Sequence, residues 1–313
     1  MDCRVYSDEM INSMRNHLEI INGQIITYPK FVFLCGKAYE NDMYDSSNRG
    51  VIDRYIKGQT DNIFIVLSEK LWEDSFDSNI DLLTFEDFLA EVSDCIILLV
   101  ESPGSFCELG AFAYADKLFS DKLILVIDKN YENDKSFIIT GPTAKALKDG
   151  SSVVYAALDG SGLLSSSGLR DVLNKKISEL SSRHSSMNKK LPNLDENKIV
   201  LSSFIIEILE LIRILQPVDR RDLLEIYKTV KNFKSFTFVK KNGDKFHNEI
   251  KFDYILKLLQ VTNLIQIDNN VISSNIPIKT PNLMFNYKIR TENQERSRLL
   301  CRKYRYCGGV KWV

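Results

Sequence analysis

Histidine is scarce in this sequence: His17, His184 and His247 are the only three in 313 residues, and they stand far apart. Histidine-based triads and metal sites depend on clustering, so neither has support, and no metal is expected. The six cysteines, Cys3, Cys35, Cys95, Cys107, Cys301 and Cys307, form no CxxC pair. Cys35 and Cys95 lie in or beside strand-like apolar runs, which suits reduced thiols in a cytosol better than disulfides or zinc. No apolar run approaches the ~20 residues that a membrane span needs, and the first residues lack a basic region followed by an apolar one. A cytoplasmic protein without a membrane partner is expected. No internal repeat of ~20–50 residues is evident either.

What the sequence does have is a concealed polarity of charge. The formal net charge is −1. Residues 1–185 carry 18 Lys and Arg against 29 Asp and Glu, net −11, while 186–313 carry 23 against 13, net +10. Halves this unlike call for different partners, unless the basic half simply docks on the acidic one. The length suits two domains of ~100–200 residues each, and 44% hydrophobic content is ordinary for globular protein.

An amphipathic opening from Met10 to Ile21 reads as a helix. Short apolar runs follow at Phe31 to Gly36, Asn62 to Leu67, Cys95 to Val100, Leu123 to Ile127 and Ser152 to Tyr155. Helical spacing appears between them, at Leu82 to Val92 and Phe106 to Phe119, and again at Leu169 to Leu180. Strands rich in Val, Ile and Leu that alternate with helices predict a parallel, Rossmann-like α/β sheet covered on both faces. A Ser-, Gly- and Lys/Asn-rich interval breaks the rhythm and sets a domain boundary near 185–195, so that residues 1–188 and 189–313 form separate domains. Beyond it come helical patterns at Lys198 to Leu215, halted at Pro217, at Arg220 to Val230 and at Lys251 to Leu259. Apolar pieces at Leu264 to Ile267 and Val271-Ile272 flank the turn Asp268-Asn269-Asn270, and three helices with a hairpin outline a winged helix.

The stretch Val100-Glu101-Ser102-Pro103-Gly104-Ser105-Phe106-Cys107-Glu108-Leu109-Gly110-Ala111-Phe112 poses the functional question. Ser105-Phe106-Cys107-Glu108 fits a capping box, in which Glu108 would only reach back to the Ser105 amide. Its place just after the run Cys95 to Val100 argues otherwise, because ligands of open α/β sheets gather beyond the carboxyl ends of strands. Gly104 lets a ligand approach the backbone closely, and the following helix N-terminus offers N–H donors that would keep Glu108 ionised. An ionised, poorly solvated carboxylate can attack a sugar carbon. Phosphates could rest on that helix start and on the turn after Cys35-Gly36-Lys37.

Gly104-Ser105-x-x-Glu108-Leu109-Gly110, preceded by Ser93-Asp94 and an apolar strand, resembles the nucleophile motif of the nucleoside 2-deoxyribosyltransferase-like family. The fuller string, with Phe33-Leu34-Cys35-Gly36 and Ser136-Phe137-Ile138-x-x-Gly141-Pro142, is similar to retron-associated effector proteins, antiphage toxins that carry such a domain. The resemblance implies that Glu108 is the nucleophile and that Glu86, eight residues before Asp94, is the carboxylate that recognises sugar and base. Gly36, Lys37, Glu101, Ser102, Gly104 and Ser105 are the residues expected to bind substrate. Ser102 stands where the transferases have an acidic residue, and Phe33 falls at or beside the aromatic position of their first strand, without a phenol hydroxyl. Specificity for free deoxynucleosides is therefore not implied.

Cleaving an N-glycosidic bond passes through an oxocarbenium-like state that a carboxylate below the anomeric carbon stabilises and then captures. A neutral purine needs a proton to leave, whereas nicotinamide leaves NAD already neutral. With no histidine near the motif as general acid, NAD is the expected substrate and no cofactor is called for. Two readings stand: an N-glycosidase restrained in a complex, or a degenerate fold whose pocket senses a nucleotide beside a DNA-binding regulator. The second half presents Lys251 and Lys257 on a recognition-type helix, with Lys228, Lys231, Lys234, Lys240 and Lys241 nearby. These predict contacts with nucleic-acid phosphates. The resemblance supplies the partners: the retron reverse transcriptase and its multicopy DNA–RNA hybrid. The tail from Arg290 to Val313, with Arg302 and Arg305 among Tyr304, Tyr306 and Trp312, suits an interface. Self-association is also expected.

Overall fold

The computed structural model describes residues 29–39, 43–72, 81–114, 119–160, 162–181, 197–246 and 249–276. The expected N-terminal helix, all three histidines, and the tail with Arg302 and Arg305 lie outside the described residues. The described residues fall into two compact units, one within Pro29–Ser185 and one beyond it.

The first unit is built on five parallel strands: β1 (Lys30–Cys35), β2 (Ile63–Val66), β3 (Cys95–Val100), β4 (Leu123–Asp128) and β5 (Ser152–Ala156), in the order β2-β1-β3-β4-β5. Around them are α1 (Asn48–Lys57), α2 (Ser68–Trp72), α3 (Leu82–Val92), α4 (Pro103–Tyr114), α5 (Ala144–Lys148) and α6 (Ser167–Ser181). Side chains alternate across a strand, so Val32, Leu34, Cys95, Ile97 and Leu99 share one face, packed with Ile52 and Ile56 of α1 and Leu169 and Leu173 of α6. Phe33 points to the other face and meets Phe112 of α4 edge-on at 6.2 Å. Burial on both faces explains why these strands read as unbroken apolar runs. Each large side chain so buried contributes about 1.5–3 kcal/mol. Asp94 fixes the relative start of the two central strands, since its amide donates to Phe31 O at 2.8 Å and its carboxylate accepts from the Phe31 amide at 3.1 Å.

The strand order creates a place for a ligand. From β1 the chain moves outward to β2, then crosses back to lay β3 on the opposite side of β1. The carboxyl ends of β1 and β3 therefore bound the crevice in which ligands of open α/β sheets bind.

The five strands fall within a residue or two of the predicted runs, and α3 coincides with its prediction. Helix α4 starts at Pro103, three residues earlier than expected, because proline is suited to a first helical turn where its missing N–H costs nothing. Helices α1 and α2, and the wide turn Ile139–Thr143 that leads into α5, are additions.

The second unit contains β6 (Lys198–Val200), α7 (Leu201–Leu215), β7 (Val218–Asp219), α8 (Arg220–Lys231), β8 (Thr237–Val239), α9 (Phe252–Val261), β9 (Ile265–Asp268) and β10 (Val271–Ser274). Asn269 and Asn270 both take positive φ, 48° and 69°, which lets two residues close the β9–β10 hairpin. Strand β10 also pairs with β7. Lys198–Val200 is a strand paired parallel with β8, where a helix start was expected. Phe204 centres the core, with Tyr227, Phe236, Phe238 and Phe252 at ring-centroid distances of 4.8–5.9 Å.

Candidate active site

The start of α4 decides whether Glu108 is a helix cap. Ser102 is the residue that caps: its hydroxyl accepts from the Ser105 amide at 3.2 Å, and its carbonyl accepts the first helical bond from Phe106 at 3.0 Å. Ser105 answers from inside the first turn, where its hydroxyl accepts from the amides of Ser102 at 2.8 Å and Glu101 at 2.9 Å. The expected capping box of Ser105 and Glu108 is thus displaced by one of Ser102 and Ser105, because Pro103 moves the helix start upstream. Glu108 has no part in it.

Glu108 instead meets Glu86. The two carboxyls share a hydrogen bond, one projecting from α4 and the other from the middle of α3. Glu86 is 9% exposed and also bonds the side chain of Ser68 at the start of α2. Burial first, then the neighbouring Glu86, raises the Glu108 carboxyl to about 8, while burial raises Glu86 to about 7. The expectation that the helix end holds Glu108 ionised is corrected. Glu108 lies about one and a half turns from Pro103, beyond the first turn to which a helix N-terminus extends its field. Two like carboxyls in contact hold a proton between them near neutral pH, and that proton belongs to the pair. One Glu108 oxygen, Oε2, is buried without a protein partner.

The rim above the pair comes from β1 and β3. Gly36 has φ +152°, and a Cβ there would stand 3.0 Å from Glu101 Oε1 and 3.1 Å from the Leu99 Cβ, so glycine is needed for Glu101 to come this close. Glu101 accepts from the Lys37 amide at 3.1 Å and from Asn48 Nδ2 at 2.6 Å. Asn48, buried at the start of α1, accepts in turn from the Gly160 amide at 2.7 Å. Both Glu101 oxygens are thus engaged by the protein, and the Lys37 amide with them. The Lys37 ammonium lies 5.3 Å from the centroid of the Tyr39 ring. Around Gly104 there is room: a Cβ would find only the Ser102 hydroxyl, at 3.8 Å.

Gly36, Lys37, Glu101, Ser102, Gly104 and Ser105 are therefore grouped at the carboxyl ends of β1 and β3. Ser105 is buried, and its hydroxyl serves the backbone. Phe33 is buried inside the sheet, and the phenol near the rim is Tyr39. Sequence reasoning missed Arg49, Asn48, Glu69 and Tyr39. Arg49 is 2% exposed and pairs with Glu69 of α2 at 2.5 Å. A charged residue two places after Ser47, the N-cap that accepts from Gly50, was the available signal that a polar-looking helix starts here.

In the second unit Lys251 is exposed and occupies the N-cap position of α9, without a side-chain capping bond, and Lys257 is half-buried. Lys240 lies over the Phe246 ring at 5.6 Å, and Lys241 is exposed beside it. Within the expected basic face, Lys228 pairs with Glu225 at 2.9 Å and Lys231 with Glu207 at 2.8 Å. Among the described residues, no group of three or more His, Cys, Asp and Glu side chains could hold a metal ion, and no helix is long and apolar enough to cross a membrane.

The first unit is thus a five-stranded parallel α/β domain with a buried carboxyl pair near the end of β1, where the strand order reverses and where ligands of open α/β sheets gather. The chain belongs to the STM3845 retron effector protein family, whose model matches residues 45–267. It is 30% identical over 226 residues to the "Retron Ec73 putative ribosyltransferase/DNA-binding protein" of Escherichia coli, covering 68% of this chain and 70% of that protein. Over 113 residues it is 38% identical to the "Retron Ec86 putative ribosyltransferase/DNA-binding protein" of Escherichia coli, 36% of this chain and 35% of that one.

Proposed function

We propose that this retron effector cleaves an N-glycosidic bond, with Glu108 as nucleophile and NAD as the substrate. One observation carries the reading: Glu108 meets Glu86 in a buried, hydrogen-bonded carboxyl pair at the crevice between β1 and β3, with an oxygen left free for substrate. The ribosyltransferase names of the relatives point to the same class of chemistry. Ionised Glu108 attacks the anomeric carbon as the carbon–nitrogen bond breaks, and nicotinamide departs neutral with the bonding electrons. Water then opens the glycosyl ester and releases ADP-ribose. Glu86 holds the ribose hydroxyls and takes the proton of the incoming water. Around the reacting carboxylate Glu69 and Glu86 outnumber Arg49, so the charge there suits a cationic leaving group.

A second reading is favoured by the shared proton. A carboxyl pair that retains a proton near pH 7 can deliver it to a departing neutral base, so a nucleoside or nucleotide would also be cleaved. Activity on NAD should rise with pH until Glu108 is ionised, at about 8, and then level off. Activity on a neutral nucleobase should peak between about 7 and about 8 and fall on both sides.

The second unit takes the role that the names of its relatives give as DNA-binding. Its three helices and hairpin form a winged helix in this reading, with Lys251, Lys257, Lys240 and Lys241 on nucleic-acid phosphates. The partners are the retron reverse transcriptase and its DNA–RNA product, with self-association of the effector in the same assembly. The test is nicotinamide release from NAD by the pure chain and by the assembled retron complex. Release that disappears in Glu108→Gln supports the reading. An assembled, triggered complex that leaves NAD intact and cleaves nucleosides instead establishes the second.

A further inference from the structure

Arg49 is a buried cation beside the carboxyl pair that the proposed reaction does not use. It is 2% exposed, and its guanidinium is planar with donors in a fixed fork. Its Nη2 lies 2.5 Å from Glu69 Oε1, and its Nε is buried with no hydrogen-bond partner in the protein. The Arg49 stem passes the end of β1: its Cδ is 3.5 Å from where a Cβ on Gly36 would stand. Cys35, the neighbouring residue, has Glu108, Glu86, Arg49 and Glu69 all around it. Pairing with Glu69 alone does not account for the burial of this cation, because Glu69 is 31% exposed while Arg49 bears the cost of desolvation.

We infer that Arg49 is a positioning residue for the chemistry at Glu108: the fixed cation on which the carboxyl pair depends, with Glu69 setting how much of its field reaches Glu108. The inference rests on the reading that Glu108 is the reacting carboxylate. Glu108 is faced by Glu86 from α3, Glu69 from α2, Arg49 from α1 and the Cys35 thiol from β1. Of these only Arg49 favours the ionised form. Glu69 acts in the opposite sense on Glu108 although it is bound to Arg49.

That opposition makes the role testable. If the ion pair is only structural, breaking it from either side loosens the same contact and disturbs Glu108 in the same direction. If it sets the field, the two halves have opposite effects. The carboxyl of Glu108 can be followed by 13C NMR in the full chain, its signal assigned by its loss in Glu108→Gln, alongside the pH dependence of kcat. Arg49→Met should raise the Glu108 midpoint by roughly 1 pH unit or more, and Glu69→Gln should lower it. Arg49→Lys should stay near wild type. Turnover at pH 7 should fall roughly 10-fold in Arg49→Met and recover at alkaline pH, with KM much less affected. Midpoints that move together in Arg49→Met and Glu69→Gln, or that do not move, overturn the proposal. Should Arg49→Met fail to fold, a Glu69→Gln midpoint that is unchanged or raised does so alone. A wild-type chain that cleaves no N-glycoside defeats the functional reading instead, and the NMR titration still decides whether Arg49 sets the charge of Glu108.

Discussion

Two helical glutamates, one in each unit, are buried to a similar depth and treated in opposite ways. Glu207 on α7, 7% exposed, accepts from the Tyr227 hydroxyl at 2.5 Å and from Lys231 at 2.8 Å. Glu86 on α3, 9% exposed, is set against a second carboxyl, and that carboxyl keeps an oxygen with no partner. A buried charge is tolerable when paired and costly when it is not. The first arrangement holds a fold together. The second weakens the fold at the crevice where a ligand would complete it, and perturbed carboxyls of this kind gather at functional sites.

The sharpest way to break the comparison is to neutralise each glutamate in turn. Glu108→Gln should abolish turnover, by three orders of magnitude or more, equivalent to at least ~4 kcal/mol of barrier, as measured by nicotinamide release. Glu207→Gln should leave turnover untouched and lower stability by roughly 1–3 kcal/mol in denaturant unfolding, since it weakens two strong hydrogen bonds. Loss of activity in a folded Glu207→Gln protein would erase the distinction.

The next effect concerns pH. Glu86 and Glu108 titrate in the fold at about 7 and about 8, against 4.5 for an ordinary glutamate. Raised carboxyls contribute stability that is fully present below pH 4.5 and is lost as pH climbs through about 7 and about 8. Glu108→Gln should therefore match wild type at pH 4.5 and exceed it at pH 9, by roughly 1–3 kcal/mol. Equal stability at both pH values would mean that the carboxyl pair carries no burial penalty. Smaller effects belong to the rim. Gly36→Ala should cost roughly 1–2 kcal/mol, because its Cβ would meet Glu101 at a φ that L-residues avoid. Ser105→Ala should cost about 1 kcal/mol through the lost cap, read as a shift in Tm with turnover reduced much less than in Glu108→Gln.

Much of the frame was legible because its signal is local. The runs Phe31 to Cys35 and Cys95 to Val100 are buried on both sides, so hydrophobicity alone marks them, and Leu82 to Val92 keeps helical spacing throughout. Glu108 and Glu86 could be singled out by motif, yet their contact could not, because it depends on how α3 and α4 pack over β1 and β3. The cap was misplaced because Ser105 and Ser102 both satisfy the pattern, and only the proline at the first helical position decides between them. Arg49 and Asn48 stayed hidden because α1 begins with polar residues that fold inward, against the usual expectation that such residues face water.

One amide side chain bears on the order in which the molecule is assembled. Asn48 joins Glu101, 53 residues away, to Gly160, 112 residues away. Contacts across such spans close late, after the loops between them have been ordered. A ribosome delivering this chain would release α4 and its glutamate well before the segment that locks the rim, so a nascent chain ending between them has Asn48 without its Gly160 partner. Glu108 is made early and its enclosure last, and under the proposed reaction that sequence delays the hazard to the cell until the domain is whole.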